Sequence, residues 1–384
     1  MERSIFNQKI GIIGGGQLGK MILNETNKWS LNISILDSNK NSPCKNLCNG
    51  FYFGNLLDYE TVLNFGRQCD LVTYEIEHIN TQALFDLEKE GIIIYPKPET
   101  LKIIQDKNSQ KEFYKRNELP TADFSFYNNV NDLKIGIKEG EVEFPCVWKK
   151  TKFGYDGFGV KILKSVEDLN DVPESEMIIE KLIPFEKEIA VIIARNSKGK
   201  IKNFDVVEME FNEISNQVEF VISPSNIPEE IKNNAIKIAI ETAEQFNLIG
   251  LLAVEMFLTE DNQILINEVA PRPHNSGHFT IEACPTSQFE QHLRSILNLP
   301  LGNTTHNNFA IMLNLVGDNG FDGNVFYENL ESAFNEANTH VHIYGKEKTR
   351  PNRKMGHITI ICDKFEDAYN KAVYIKSKIK VKTL

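Results

Sequence analysis

Two apolar runs joined by a polar turn constrain this chain most: Gly250-Leu-Leu-Ala-Val-Glu-Met-Phe-Leu258 and Ile264-Leu-Ile-Asn-Glu-Val-Ala270, connected through Thr259-Glu-Asp-Asn-Gln263. Each run has strand composition, and the connector has the composition of a hairpin turn. One carboxylate interrupts each run, Glu255 in the first and Glu268 in the second. With Asp261 and Asn262 as the turn residues, Glu255 falls directly opposite Glu268. Like charges facing each other across a hairpin destabilise it. A cation between them removes the conflict, and paired carboxylates together with substrate phosphates are the usual way Mg²⁺ is held. The alternative is an exposed pair at a sheet edge, and the flanking strands, which read as buried on both faces, argue against it.

The residues that follow serve no core. Asn267, Glu268, Arg272, His274, Asn275 and His278 crowd around Pro271, Pro273 and Gly277. The prolines stop both a helix and a central strand, so this is a rigid loop at a strand end. The constellation resembles the ATP-grasp enzymes, in which two acidic residues on adjacent strands hold the magnesium ions of ATP. Within that superfamily, Asn267-Glu-x-Ala-Pro-Arg-Pro-His-Asn-Ser-Gly-His278 resembles the 5-(carboxyamino)imidazole ribonucleotide synthase family of purine biosynthesis. Most ATP-grasp enzymes carry Glu-x-Asn at the second metal segment. Here Ala270 takes the Asn position, as in the resembled family, which implies leaner metal coordination.

At 384 residues the chain is too long for one ordinary domain. A hydrophobic fraction of 41% with 25% charged residues marks it as globular rather than disordered. Its net charge of −11 argues against nonspecific nucleic-acid or anionic-membrane binding, while leaving room for a locally basic pocket. No apolar run approaches the ~20 residues that span a bilayer, and the N-terminus lacks a signal-peptide core. The scattered cysteines have no zinc spacing and read as reduced thiols of a cytoplasmic protein.

Lys9-Ile-Gly-Ile-Ile13 reads as a buried strand, followed by Gly14-Gly-Gly-Gln-Leu-Gly19 and a helical pattern, with Asp37 ending the next strand. By position this is a dinucleotide fingerprint. Its physics is broader, because glycines let the backbone approach a phosphate and helix N-terminal N–H groups bind anions. A merely tight strand–helix turn is the other possibility. Strands at Leu71–Tyr74 and Ile92–Tyr95, with helices near 58–68 and 80–90, predict a small parallel sheet. In the resembled family this domain opens with the same Gly-Gly-Gly-Gln-Leu-Gly and binds the phosphate of aminoimidazole ribonucleotide. The resemblance thus implies substrate contacts at Gln17 and Leu18, and at Glu75 for the ribose. A solvated strand end is the competing account of Glu75.

A helix is expected from Thr100 to about Asn117, followed by strands at Phe124–Tyr127, Cys146–Lys149 and Val160–Leu163. Between the last two lies Phe153-Gly-Tyr-Asp-Gly-Phe-Gly159, too glycine-rich for a plain hairpin, and suited to a flap over nucleotide phosphates. The resemblance implies ATP contacts at Lys107, Lys149, Gly154, Tyr155, Asp156, Gly157, Phe158 and Gly159, with Asp156 also reaching the substrate. It places Lys107 where the family usually has Arg, which keeps the charge but loses the planar fork. Phe153 and Phe158 replace a glycine and a basic residue of the family's flap, so the flap is expected to be stiffer and less positive. Met177 to Ile183 resembles the adenine hinge. It implies that the backbone amides of Lys181, Leu182 and Ile183 read the base, with Glu180 and Glu188 beside them and Asn267 and Glu268 completing the ATP site. An ordinary edge strand capped by Pro184 and a surface Lys149 are the bland alternatives.

Glu188–Ala194 and Ile201–Met209 predict an antiparallel hairpin, and Glu229–Phe246 an amphipathic packing helix. Phe211 stands where many members of the resembled family have a histidine. Arg272 matches an arginine that holds bicarbonate-derived oxyanions in related carboxylating enzymes, and a structural Arg–Glu pair is its alternative. His274 is a candidate proton carrier. The tail Tyr344-Gly-Lys-Glu-Lys-Thr-Arg-Pro-Asn-Arg-Lys-Met-Gly-His357 carries five basic residues on a Pro/Gly-broken segment held between strands. That suits a phosphate clamp better than a core element. Its likeness to the family's tail motif implies that Lys346 and Arg353 grip the ribonucleotide phosphate.

The expectation is an ATP-grasp ligase with three regions. Residues 1–99 would form a Rossmann-like α/β substrate domain. Residues 100–297 would form the ATP-grasp region, with a lid at about 120–183. Residues 298–384 would complete a mixed-sheet catalytic domain. Glu255 and Glu268 would hold Mg²⁺, and ATP, bicarbonate and 5-aminoimidazole ribonucleotide would react through carboxyphosphate. A cytoplasmic homodimer with no nucleic-acid or membrane partner is expected. Three rivals stand beside it: a formate-dependent glycinamide ribonucleotide transformylase, an NAD-dependent oxidoreductase built on Gly14–Gly19 and Asp37, and a nonenzymatic nucleotide sensor. The transformylase family resembles Gly-Ser-Gly-Glu-Leu-Gly at the first turn, where this chain has Gln17. The oxidoreductase leaves the Glu255/Glu268 pair unexplained.

Overall fold

The structure, a computed structural model, describes residues 5–152, 154, 159–212 and 217–384. The first strand, Lys9–Ile13, sits mid-sheet with Asn32–Asp37 on one side and Leu71–Tyr74 on the other, both parallel to it. Ile93–Ile94 closes one edge and Gly50–Phe53, a strand not foreseen from sequence, closes the other. That edge strand is short and its side chains are at best half-buried, so it carries no apolar alternation to read. The strand order reverses at Lys9–Ile13, and such a switch point opens a crevice at the strands' carboxyl ends. Helices Gln17–Lys28, Tyr59–Gly66 and Thr81–Lys89 supply the crossovers. Asp58 and Asn80 cap the latter two by accepting from the N–H groups of Thr61 and Ala83.

The single helix expected over 100–117 is two helices, Pro98–Ile104 and Lys107–Arg116. Asp106 divides them. Its backbone is extended (φ −125°, ψ 113°), and its side chain caps the second helix by accepting from Ser109 N. The second helix, hereafter the hinge helix, stands at the junction between the N-terminal region and the lid. Its first amide, Lys107 N, donates to Thr151 O at 2.8 Å, at the base of the lid. The chain beyond it docks on the central sheet, where Ile266 N donates to Pro120 O at 2.7 Å.

The lid is a four-stranded antiparallel sheet in the order Phe124–Tyr127, Met177–Lys181, Cys146–Lys150, Val160–Leu163. An additional helix, Val130–Glu139, precedes Gly140 in the left-handed region (φ 78°). The central sheet has nine strands whose pairings are antiparallel, and one parallel bridge, Thr121 to Ile266, makes its edge mixed. Phe185–Arg195 lies between Gly250–Thr259 and Val207–Phe211, and Phe309–Val316, Thr339–Ile343 and Lys354–Cys362 extend the far side. Helix Glu229–Gln245 packs Ala235, Ile238, Ala239 and Ala243 onto Ile189, Val191, Leu252 and Val254.

The hairpin shows how the two carboxylates come to face each other. Its loop is one residue longer than expected: Leu258 pairs with Ile264, and Asn262 adopts φ 61°. That register would have set Glu255 opposite Asn267. A bulge between Glu255 and Met256 on one side and Glu268 and Ile266 on the other restores the expected pair, Glu255 with Glu268. The extra residue is Asn267, and the bulge turns both Asn267 and Glu268 toward one cleft, where an unbroken pleat would alternate them.

Three histidines, His278, His292 and His357, are buried. Burial pulls their pKa values down, His292 to about 4 and the others well below the usual range. Between pH 6.5 and 4 the unfolded chain therefore takes up a proton at His292 that the folded chain does not. Stability from this group is full above about pH 6.5 and falls as the pH drops, by about 1.4 kcal/mol per unit. Glu75 and Glu188, pushed up to about 7 and about 8, act in the opposite sense, so the test is a contrast. Wild type should lose stability more steeply than His292→Gln between pH 6.5 and 5.5 in urea titrations, and parallel losses would contradict the assignment.

Candidate active site

A cleft of about 410 Å³ lies between the lid, the hinge helix and the central sheet. It gathers Lys107, Lys149, Gly154, Glu180, Lys181, Leu182, Ile183, Glu188, Glu255, Asn267, Glu268, Arg272 and His274, all singled out from sequence. Phe211 lines it as well. Tyr155, Asp156, Gly157 and Phe158, with Phe153, lie outside the described residues, so the expectations placed on them have no structural counterpart. Gly159 is in the left-handed region at φ 84°, and its carbonyl accepts from Lys150 N.

Glu188, Glu255 and Glu268 sit on three neighbouring strands at the cleft floor. Lys107 ion-pairs with Glu268 and holds its carboxyl well below the usual range. His274 Nε2 lies 3.1 Å from Glu255 Oε1. Among the described residues Glu188 has no such partner. Burial, then the charges of Glu255 and Glu268, push it up to about 8. The set is thus short of positive charge. Among the described residues no three His, Cys, Asp or Glu side chains form a closed metal cage. Two facing carboxylates open to a cleft are instead the donor set of a cation that completes its shell with phosphate and water, which fits Mg²⁺.

Glu180 is buried between two lysines, Lys149 Nζ at 2.9 Å and Lys111 Nζ at 3.2 Å. Burial alone would raise its carboxyl, and the two ammonium groups overcome this and hold it below its usual range. Lys149 Nζ also donates to Asn267 Oδ1 at 2.9 Å, tying the lid to the bulge. Lys181 corrects one expectation. Its amide donates to Asp123 O at 2.9 Å within the lid sheet and is not available to a base. Leu182 and Ile183 follow the strand's end and line the cleft.

Part of the glycine turn is engaged within the chain. Gly15 N donates to Asp37 Oδ2 and Gly16 N to Glu75 Oε1, at 2.5 and 2.7 Å. Two amides expected to cradle a phosphate are therefore taken by the chain's own carboxylates. The glycines serve close packing: a Cβ at Gly15 would meet Ser42 Oγ at 2.4 Å, and one at Gly14 would meet Glu75 at 2.7 Å. Asp37 is turned onto this turn and is not presented to a ribose, which removes the basis of the dinucleotide reading. Leu18 is a core side chain, so only its backbone can meet a ligand. Gln17 opens the helix and is half-buried. Glu75 is buried rather than a solvated strand end, and burial raises its carboxyl to about 7 against the pull of Gly16 N–H and Arg272.

Arg272 links this region to the cleft. Its Nη2 lies 2.9 Å from Glu77 Oε1 and its Nη1 donates to Pro273 O, while its buried Nε makes no hydrogen bond among the described residues. In the basic tail, Lys346 Nζ donates to Lys354 O and Arg353 Nη1 to Lys348 O, each at 2.6 Å. The two cations thus engage different carbonyls, and it is Lys354, which sequence reasoning passed over, that lines the cleft. Lys20 Nζ donates to Ile343 O and Asn41 Nδ2 to Glu347 Oε2, fastening the tail against the glycine-turn domain.

Comparison with known proteins agrees with this geometry. Family models match in three consecutive pieces: a ribonucleotide synthetase preATP-grasp domain over residues 7–105, an ATP-grasp domain over 112–289, and a phosphoribosylaminoimidazole carboxylase C-terminal domain over 310–371. The N5-carboxyaminoimidazole ribonucleotide synthase of Bacillus subtilis is 36% identical over 357 residues, covering 92% of this chain and 91% of that protein. The chain belongs to the N5-carboxyaminoimidazole ribonucleotide synthase family. Among solved structures, the synthetase of Thermotoga maritima superposes with a TM-score of 0.90 at 42% identity, covering 98% of this chain and all of that one. The synthase of Aspergillus clavatus, solved with ADP and 5-aminoimidazole ribonucleotide, matches with a TM-score of 0.88 at 30% identity, covering 97% and 99%. Fungal phosphoribosylaminoimidazole carboxylases are longer relatives. The chain is 36% identical to that of Candida glabrata, and the match covers 96% of this chain and 66% of the other. The family's synthetase fold, with an N-terminal parallel sheet and an ATP-grasp core, is the fold seen here.

Proposed function

We propose that this synthase-family chain carboxylates the exocyclic amine of 5-aminoimidazole ribonucleotide at the expense of ATP, giving N5-carboxyaminoimidazole ribonucleotide, ADP and phosphate. Bicarbonate oxygen would attack the γ-phosphorus of ATP, forming carboxyphosphate and releasing ADP. The amine would then take up the carboxyl carbon, phosphate would leave, and the amine would give up a proton. The observation that carries this reading is the facing pair Glu255 and Glu268 beneath a lysine-rich lid, with Arg272 between that pair and the glycine-turn domain.

Glu255 and Glu268 would hold Mg²⁺ through the oxygens that His274 and Lys107 leave free. Bound there with ATP, the metal would neutralise charge on the transferring phosphoryl group. Lys149 would meet the nucleotide's phosphates, Leu182 and Ile183 the adenine, and the flap from Gly154 to Gly159 would cover the chain of phosphates. The Arg272 guanidinium, which lines the cleft, would meet the oxyanion of bicarbonate, and His274, already beside Glu255, would carry a proton. On the other side of Arg272, the backbone at Gln17 and Leu18, the Glu75 carboxyl and the tail's Lys346, Arg353 and Lys354 would receive the ribonucleotide. The same reading divides the chain at 99 and 297 and takes it to act as a cytoplasmic homodimer. Among the described residues no helix is long and apolar enough to cross a membrane.

Labelled bicarbonate tests the proposal: with ATP, Mg²⁺ and 5-aminoimidazole ribonucleotide, label should enter the ribonucleotide, and label that never leaves bicarbonate would refute it. The substrate side has its own check. Gln17→Ala should raise the ribonucleotide KM several-fold and leave the ATP KM within twofold, in the range of one lost neutral hydrogen bond, roughly 0.5–1.5 kcal/mol. NADH should not bind, and saturable NADH fluorescence would restore the dinucleotide reading.

A further inference from the structure

The hinge helix carries three lysines each one turn apart, Lys107, Lys111 and Lys115, and the first two concern the cleft, since residues at that spacing share a helix face. Lys107 reaches Glu268 at the cleft floor. Lys111 does not line the cleft at all. It is 2% exposed, and its Nζ lies 2.7 Å from Thr121 Oγ1 and 3.2 Å from Glu180 Oε1. Thr121 passes the contact on, donating from Oγ1 to Ile266 O at 2.7 Å, the residue before the Asn267 bulge. The other oxygen of Glu180 meets Lys149 Nζ at 2.9 Å, and Lys149 reaches Asn267 Oδ1 at the same distance. A closed ring of contacts results. It runs from the hinge helix to lid strand Met177–Lys181, to lid strand Cys146–Lys150, to the hairpin strand Ile264–Ala270 and back through Thr121.

We propose that Lys111 is a positioning residue for the nucleotide site: by occupying one oxygen of Glu180 it leaves Lys149 only half-neutralised and aimed at the phosphates. The inference rests on the nucleotide-site reading above. The charge arithmetic is simple. A lysine–carboxylate–lysine row carries one net positive charge, and that charge is expressed where the row meets the cleft, at Lys149. Buried charges are costly unless each is paired, and on its Oε1 side Glu180 is paired by the Lys111 ammonium at 3.2 Å. Without Lys111, the whole of the Glu180 charge falls on Lys149. Lys149 is then drawn toward the lid strand and away from both Asn267 and the phosphates. Lys111 would thus act on the nucleotide without touching it.

The test compares ligand affinities. Calorimetric titration of Lys111→Met should show ADP·Mg²⁺ binding weakened about ten- to a hundredfold, the scale of one lost charge-assisted contact. Affinity for 5-aminoimidazole ribonucleotide should stay within about threefold of wild type on the same scale. Lys111→Arg, which keeps the charge, should bind ADP nearly as wild type does. A purely structural lysine would lower the melting temperature and weaken both ligands alike, and that result, or unchanged ADP binding, would overturn the proposal. If Lys111→Met does not fold, Lys111→Gln keeps a donor toward Thr121 without the charge, and the same selective loss is required of it. Failure of wild type to bind ADP would instead refute the nucleotide-site reading itself.

Discussion

Glu268→Gln should lower turnover by about a thousandfold or more at saturating Mg²⁺ and ATP, the scale of a lost transition-state charge contact compounded by a lost metal ligand. The substitution keeps the side chain's shape and removes only its charge. It also takes the carboxylate partner from Lys107, so a modest fall in melting temperature is expected beside it, limited by the 43% exposure of the Glu268 side chain to the cleft. The loss in kcat should far exceed what that fall accounts for. Glu255→Gln should also lose turnover, because the bulge at Asn267 sets the two carboxylates facing each other at one site. Wild-type turnover in either variant would remove the metal assignment.

Arg272→Ala should cost about a hundred- to a thousandfold in kcat, as does the removal of one oxyanion donor elsewhere. Arg272 is anchored twice, by Glu77 at 2.9 Å and by its bond to Pro273 O, and it lines the cleft beside the two carboxylates. Lys at this position would lack the planar fork and cannot serve Glu77 and an oxyanion together, so Arg272→Lys should recover little. The sequence left open a structural Arg–Glu pair, and Glu77 supplies such a partner. Glu77→Gln separates the two accounts. If the pair were only structural, Glu77→Gln would reproduce the Arg272→Ala loss. If Arg272 works on the oxyanion, Glu77→Gln should cost far less than Arg272→Ala.

Motifs that combine residue type with fixed spacing were legible in the sequence, and contacts that depend on register or tertiary closure were not. The pairing of Glu255 with Glu268 was expected for an incomplete reason: a two-residue turn was assumed, whereas a longer loop and a compensating bulge together produce the pair. A bulge has no composition of its own, so nothing at Asn267 announced it. The helix over 100–117 reads as continuous because no proline or glycine interrupts it, and the extended backbone of Asp106, whose side chain caps onto Ser109 N, divides it. The glycine turn was read for phosphate because glycine reports closeness of approach, not what approaches. Here Glu75, Asp37 and Ser42 approach it from distant positions in the chain. Lys111 was passed over although its spacing from Lys107 was visible, since a helical lysine ordinarily points to solvent, and its burial depends on Glu180 arriving from the lid. In the tail, strand flanks were enough to place the basic segment but not to say that Lys354 would face the cleft.

ADP release measured with ATP, Mg²⁺ and bicarbonate, in the presence and absence of 5-aminoimidazole ribonucleotide, tests the central claim most directly. The account predicts slow release without the ribonucleotide and a large stimulation with it, with one ADP formed for each ribonucleotide carboxylated. Release that is indifferent to the ribonucleotide, or that needs no bicarbonate, would contradict it.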